Sequence, residues 1–260
     1  MSLYVLILLC VVQGLTEFLP ISSSGHLLLI EQVFGVSGNL LFLNLFLHVA
    51  TLCAVVVVYR KTIIKLLKNP FQKYTKNLLL ATLTTFVFAV GYKAFNFDGF
   101  VQRIYCFGFL LTSIILLACH YFQKKAIVFS AEELNTKNAI IVGAVQGLAV
   151  IPGLSRSGST ISSLIFQGVS QSKAAEFSFL MSMPIIVGGF AFELINLLKN
   201  PTNNYFFDIK IYIFAFFLTF FVSILALKAT IKLLRDKKLI IFSVYTFVLF
   251  VISFVLNFVI

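Results

Sequence analysis

Tryptophan is absent from this chain, and charge is scarce. Only 11% of the side chains are charged, with nine acidic residues against twenty Lys and Arg. An ordinary soluble domain is about a quarter charged, so this share is too small for a surface that meets water throughout. Without Trp there is no indole belt, and Tyr, Lys and Arg are left to anchor the chain at headgroup level. Cysteine is also sparse. Cys10, Cys53, Cys106 and Cys119 lie inside apolar runs with no CxxC spacing, which argues for small buried hydrophobes over a disulfide framework or a metal motif. The opening Met1-Ser2-Leu3-Tyr4 carries no basic stretch, and no small-residue cleavage site follows, so no signal peptide is expected.

What is present is apolar: 60% of the residues, 31 of them Phe, with a mean hydropathy of +1.03. The 260 residues suit one bundle of about six to eight membrane segments at ~20 residues each. The net charge of +11 does not point to nucleic acid, because the basic residues lie in short loops between apolar runs.

Six runs read as spanning helices: about 39–59, 78–95, 104–122, 177–198, 211–231 and 239–259. Two further regions fail as plain spans. Residues 1–34 are apolar, break at Gln13, Glu17, Pro20, three serines, Gly25 and His26, and turn apolar again. Residues 138–170 repeat the plan around Gln146, Pro152, Gly153, Ser155, Arg156, Ser157 and Gly158. Irregular backbone at membrane depth is tolerated only where protein buries it or where it lines a cavity. Both regions therefore read as re-entrant hairpins in a single all-α integral membrane domain, with repeats over about 1–122 and 138–260. A capping box at Ser130-Ala131-Glu132-Glu133 is expected to open the helix entering the second hairpin.

Fifteen Lys and Arg fall in 60–77, 123–139, 171–176 and 228–238, whereas the opposite loops and helix ends offer Lys93, Arg103, Lys199 and Lys210. The positive-inside rule puts the first set in the cytoplasm and both termini outside. The first hairpin then enters from the outer face and the second from the inner face.

The hairpins align at an offset of 133. Gln13-Gly14-Leu15 falls on Gln146-Gly147-Leu148, and Ser22, Ser24 and Gly25 fall on Ser155, Ser157 and Gly158, with Ser23 on Arg156. A unit repeated from opposite faces marks an inverted-topology architecture, with its site where the broken helices meet. Arg156 is the one Arg that no loop explains. A guanidinium in an apolar segment costs on the order of several kcal/mol and implies a partner. Its planar fork suits phosphate oxygens, and a helix starting near Ser159 or Thr160 points a positive dipole end at the same place. A structural pair with Glu17 is the alternative, compatible with the first if Glu17 holds Arg156 until substrate arrives. His26 can move protons near neutrality, and the serines beside it are candidate nucleophiles or merely helix-packing groups. His120 reads as structural, and His48 as structural or cavity-lining.

QGLTEFLPISSSGH (13–26) and PGLSRSGST (152–160) closely resemble the two signature regions of the undecaprenyl-diphosphate phosphatase, or bacitracin resistance, family. AAEFSFLMSMP (174–184) is similar to the segment that follows the second motif. The resemblance implies a multi-pass enzyme of the bacterial inner membrane, with its site open to the outer face. It would hydrolyse undecaprenyl diphosphate to the monophosphate, recycle the carrier lipid for peptidoglycan synthesis and confer bacitracin resistance. It implies catalytic roles for Glu17, Ser23 (nucleophile), His26 (proton transfer) and Arg156 (diphosphate clamp). A phosphate cradle of Ser22, Ser24, Gly25, Ser155, Arg156, Ser157 and Thr160 is implied with them, and a divalent cation, Mg²⁺ or Ca²⁺, at Glu17 and Gln13. Gln13 stands where the family carries Glu or Gln and cannot ionise, so no base role is open to it. Attack by Ser22, Ser24 or water stays open beside Ser23, as do a monomer or a homodimer. A carrier or flippase of polyprenyl phosphate lipids is the rival activity, since inverted repeats also build transporters.

Overall fold

The computed structural model describes residues 2–35, 41–94, 104–125, 134–199 and 209–258. Among them are eleven helices: α1 Leu3–Thr16, α2 Ser23–Val33, α3 Leu41–Val58, α4 Arg60–Lys68, α5 Lys73–Ala94, α6 Tyr105–Lys125, α7 Thr136–Leu148, α8 Arg156–Phe166, α9 Gln171–Lys199, α10 Ile209–Arg235 and α11 Leu239–Phe258. The box expected at Ser130 lies outside the described residues. Instead α7 is opened by Asn135, whose side chain accepts from the Asn138 amide while the Asn138 side chain returns a bond to the Asn135 amide. This is the reciprocal satisfaction of orphan helix-start donors that a capping box provides.

Among the described residues, four helices are long and apolar enough to cross a membrane: Tyr105–Lys124, Gln171–Phe192, Ile209–Arg235 and Leu239–Phe258. A fifth crossing is available if Leu43–Val58 and Arg60–Lys68, bent by 77° at Tyr59, count as one span. These match five of the six runs expected from the sequence. The sixth, α5, is a 22-residue helix outside that set, and its first turns carry Lys73, Lys76 and Asn77. The helices at 3–16, 23–33, 136–148 and 156–166 are shorter, and at 1.5 Å per residue none reaches across a hydrocarbon core of ~30 Å. Each polar interruption therefore separates two half-length helices.

The 133-residue offset recurs in three dimensions. Added to the limits of α2, it gives those of α8. Packing repeats with it: α1 lies on α2 as α7 lies on α8, α1 on α10 as α7 on α5, while α3 pairs with α9 and α6 with α11. Similar bonds tie the α1–α10 and α7–α5 contacts. Thr219 of α10 donates to the Cys10 carbonyl at 3.2 Å, and Thr85 of α5 donates to the Gly143 carbonyl at 2.9 Å. Between α6 and α11 the serines exchange bonds, Ser113 to the Ser243 carbonyl at 2.9 Å and Ser243 to the Ser113 carbonyl at 2.8 Å. Small polar residues face inward (Thr219, Ser223, Ser243, Thr246 and Ser253 are buried), while Phe217, Phe221 and Phe258 face outward. Lipid tails are as apolar as Phe and give helices no hydrophobic reason to associate, so close packing and interhelical hydrogen bonds hold the bundle together.

The second interruption is moulded against α6. A Cβ on Gly108 would sit 2.3 Å from the Pro152 carbonyl oxygen and 2.6 Å from the Leu154 nitrogen. Gly108→Ala is expected to push the second interruption away and cost about 1–3 kcal/mol, whereas Gly91→Ala, with open space around it, should leave stability level or slightly raised. Thermal unfolding of both variants in detergent checks this.

Candidate active site

Two broken helices build the site. After α1 the chain turns through Glu17–Ile21 and re-enters a helix at Ser22. This residue has φ of 70°, and its hydroxyl caps α2 by accepting the Gly25 amide at 3.3 Å. After α7 the chain turns through Pro152 and Gly153. Gly153 has φ of +83°, and a Cβ there would lie 2.0 Å from the Tyr105 carbonyl oxygen, so any other residue meets both strain and collision. Ser155 then caps α8 by accepting the Gly158 amide at 3.0 Å. Thr112 of α6 holds the turn in place, taking the Ser155 amide at 2.9 Å and donating toward the Gly153 carbonyl at 3.1 Å. The equivalent serines, 22 and 155, thus cap equivalent helices by the same bond.

The two tips touch. Ser157 donates to the Leu19 carbonyl at 3.1 Å, and the Arg156 guanidinium bonds and pairs with Glu17 through Nη2 and Oε1. Glu17 is the hub. Its side chain is 1% exposed, and a carboxylate so buried needs compensation on every face. Oε1 receives Arg156; Oε2 receives Ser23 Oγ at 2.8 Å and Gln13 Nε2 at 2.9 Å, with His48 Nε2 of α3 at 3.5 Å. Arg156 keeps 22% of its side chain exposed, toward a cavity of about 270 Å³ lined by residues of both tips together with His48, Gln146, Thr85 and the Ile185–Ile186 face of α9. A second void of about 10 Å³ lies against Glu17, Arg156 and Ser157 together with Ser178 and Ser182. That is roughly the room of one water among polar groups.

Of the residues singled out in the sequence, Glu17, Ser22, Ser23, Ser24, Ser155, Arg156 and Ser157 line the cavity. Gln13, Gly25, His26 and Thr160 are not among its lining residues. Gln13 stands behind Glu17. Gly25 packs on the Phe109 ring, 2.5 Å from where a Cβ would be. Thr160 donates to the Arg156 carbonyl at 2.7 Å and meets Ser178 Oγ at 2.6 Å, so it fixes the start of α8 from within. His26 lies between Phe109, edge-on at 5.6 Å, and Tyr245, stacked at 5.7 Å. Its Nδ1 donates to the Ser22 carbonyl at 2.6 Å and its Nε2 accepts from the Tyr245 hydroxyl at 2.9 Å, so both ring nitrogens are engaged. Tyr245 was invisible to sequence reasoning, being 219 residues from its partner in an uncharged run. Gln146 carried a signal, as the residue equivalent to Gln13.

Among the described residues no three His, Cys, Asp or Glu side chains converge. A hard divalent cation can nonetheless be held by one carboxylate together with substrate phosphate oxygens. Glu17 supplies the carboxylate, and Gln13 Oε1 is a buried oxygen with no hydrogen-bond partner. The donor set fits a cation that arrives with a phosphorylated substrate.

The model of the family described as Bacitracin resistance protein BacA matches residues 6–252. The chain is 33% identical over 263 residues to an undecaprenyl-diphosphatase of Carboxydothermus hydrogenoformans, covering 99% of this chain and 98% of that one. It is 33% identical to the undecaprenyl-diphosphatase of Halothermothrix orenii (98% of each chain) and 33% to that of Bacteroides thetaiotaomicron (92% of each).

Removing one member of a buried pair strands the other charge, at a cost of about 3–5 kcal/mol, whereas apolar replacement of both can be near neutral. Glu17→Leu should therefore lower unfolding stability sharply, and Glu17→Leu with Arg156→Leu should recover much of the loss. Melting of the single and double variants in detergent measures the difference.

Proposed function

The chain belongs to the bacitracin resistance protein BacA family, and we propose that it is an undecaprenyl-diphosphate phosphatase, releasing inorganic phosphate and undecaprenyl phosphate. It is a multi-pass protein of the bacterial inner membrane, its product re-enters cell-wall synthesis, and bacitracin resistance follows from consuming the diphosphate form. The observation that carries this reading is the cavity where Arg156, two capped helix starts and Ser23 meet around Glu17.

Phosphoryl transfer needs positioning and charge stabilisation more than covalent help. The diphosphate draws the Arg156 fork from Glu17 Oε1, and the guanidinium bonds phosphate oxygens in its place. The hydroxyls of Ser155 and Ser157 and the amides at the start of α8 complete the cradle. Ser23 Oγ, already bonded to Glu17 Oε2 at 2.8 Å, attacks the terminal phosphorus. Its proton passes toward that carboxylate, and the bond from phosphorus to the bridging oxygen breaks. Undecaprenyl phosphate leaves, and water then cleaves the phosphoserine. His26 holds the Ser22–Ser24 turn through its bond to the Ser22 carbonyl, and in this geometry the proton passes to Glu17 instead. Thr160 acts likewise from behind Arg156. A divalent cation would be held by Glu17 together with the substrate, with Gln13 supporting Glu17 from behind, and would neutralise charge on the diphosphate oxygens.

The finer architecture belongs to the same reading. Six spans, α3, α5, α6, α9, α10 and α11, surround two re-entrant hairpins, α1–α2 and α7–α8, which enter from opposite faces as inverted repeats. The recurrence of the 133 offset in helix limits and packing supports this. The lysine-rich loops lie in the cytoplasm, with the termini and the mouth of the site outside.

The test is phosphate release from undecaprenyl diphosphate by the pure protein in detergent, where no second compartment exists for a carrier to serve. Turnover is expected; its absence in folded protein would favour transport. Arg156→Lys keeps the charge but loses the fork, and Ser23→Ala loses the nucleophile. Each should reduce kcat/KM by roughly 100-fold or more while the protein stays folded, and a chelator should abolish turnover until Mg²⁺ or Ca²⁺ is restored.

A further inference from the structure

The cavity presents an imidazole that the chemistry above leaves unused. His48 lies on α3 and lines the same cavity as the two tips. Its Nδ1 is 2.7 Å from the Asn44 carbonyl oxygen. A carbonyl only accepts, so the proton of the neutral ring sits on Nδ1, and Nε2 carries a lone pair. That lone pair stands 3.5 Å from Glu17 Oε2, itself an acceptor. Two acceptors so placed suit a shared donor, and the donor already on Oε2 from the cavity side is the Ser23 hydroxyl, at 2.8 Å. The helix that carries the ring is also braced. Asn44 donates through Nδ2 to Glu31 at 3.0 Å, and Thr51 donates to the His48 carbonyl at 2.7 Å. His26, by contrast, has spent both nitrogens on Ser22 and Tyr245.

We propose that His48 is a positioning residue of this site: its Nε2 and Glu17 Oε2 together orient the nucleophilic hydroxyl. The need arises when substrate binds. Once the diphosphate takes Arg156, Glu17 Oε1 loses its bond and the carboxylate is free to rotate, carrying the Ser23 hydroxyl with it. A second, braced acceptor on α3 keeps the hydroxyl aimed at phosphorus. This role presupposes the phosphatase chemistry above and uses a fixed hydrogen-bond acceptor, which a Gln side chain can also supply.

The experiment measures steady-state phosphate release from undecaprenyl diphosphate by the purified full chain carrying His48→Leu or His48→Gln, alongside ¹⁵N spectra of histidine-labelled protein. His48→Leu should lower kcat by roughly 10- to 100-fold with KM little changed, because the phosphate clamp is untouched. His48→Gln should recover most of kcat, and the His48 ring proton should be found on Nδ1. Wild-type turnover in His48→Leu, a Gln variant as impaired as the Leu one, or a ring proton on Nε2 overturns the positioning role alone. A wild-type protein that releases no phosphate overturns the phosphatase reading as well. Should His48→Leu fail to fold, His48→Met takes its place in the comparison.

Discussion

The ion pair between Glu17 and Arg156 is the constraint on which the rest of this structure depends. It joins residues 139 positions apart on two separate breaks, and neither charge has another reason to be at that depth. A carboxylate that is 1% exposed tolerates its position only while opposed by a cation and hydrogen-bond donors. Arg156, Gln13 and Ser23 therefore take their places around one carboxylate, and each helix that carries one of them is held relative to the others. The same pair makes the site responsive. In the proposed reaction an incoming polyanion competes for the guanidinium, and the carboxylate it releases is left beside the serine that must lose a proton.

Capping makes the breaks affordable at membrane depth. A helix interrupted there exposes amides that lipid cannot satisfy, and Ser22 and Ser155 satisfy them with the same bond one repeat apart. Thr112 and Gly153 add the close fit of α6 against the second turn. What these bonds leave open is the remaining donors at the starts of α2 and α8, helix ends whose residues line the cavity and whose dipoles favour an anion. In the proposed function, stabilising the broken helices and binding phosphate are thus two uses of one arrangement. The outward Phe residues of α10 and α11 need no such arrangement, because lipid is their ordinary solvent.

Much of this was legible in the residues. The uncharged runs at 104–122 and 239–259 became α6 and α11, because twenty apolar residues without a charge have no other stable conformation in lipid. The serines equivalent at offset 133 marked the repeat but not the caps, for the helix expected near Ser159 or Thr160 starts at Arg156 with Ser155 as its cap. The lone Arg in an apolar segment predicted its partner, since an unpaired guanidinium there is too costly to keep. The parts that could not be read depend on which faces of distant helices meet. His26 sits between Phe109 and Tyr245 because α2, α6 and α11 converge there, and His48 reaches Glu17 because α3 crosses the first tip. Spacing along the chain carries no trace of either contact. The end of the run at 59 was legible, but the basic stretch after it, read as a loop, continues as helix α4 at a 77° bend.

The central claim is that the two tips form one site through this pair. Its most direct measurement is the dipolar coupling between the guanidinium ¹⁵N of Arg and the side-chain carboxyl ¹³C of Glu, recorded by solid-state NMR on the protein in lipid. A strong coupling that vanishes in Glu17→Gln, and weakens when inorganic pyrophosphate is added to the native protein, is the predicted result. No coupling, or one that survives in Glu17→Gln, would contradict the account.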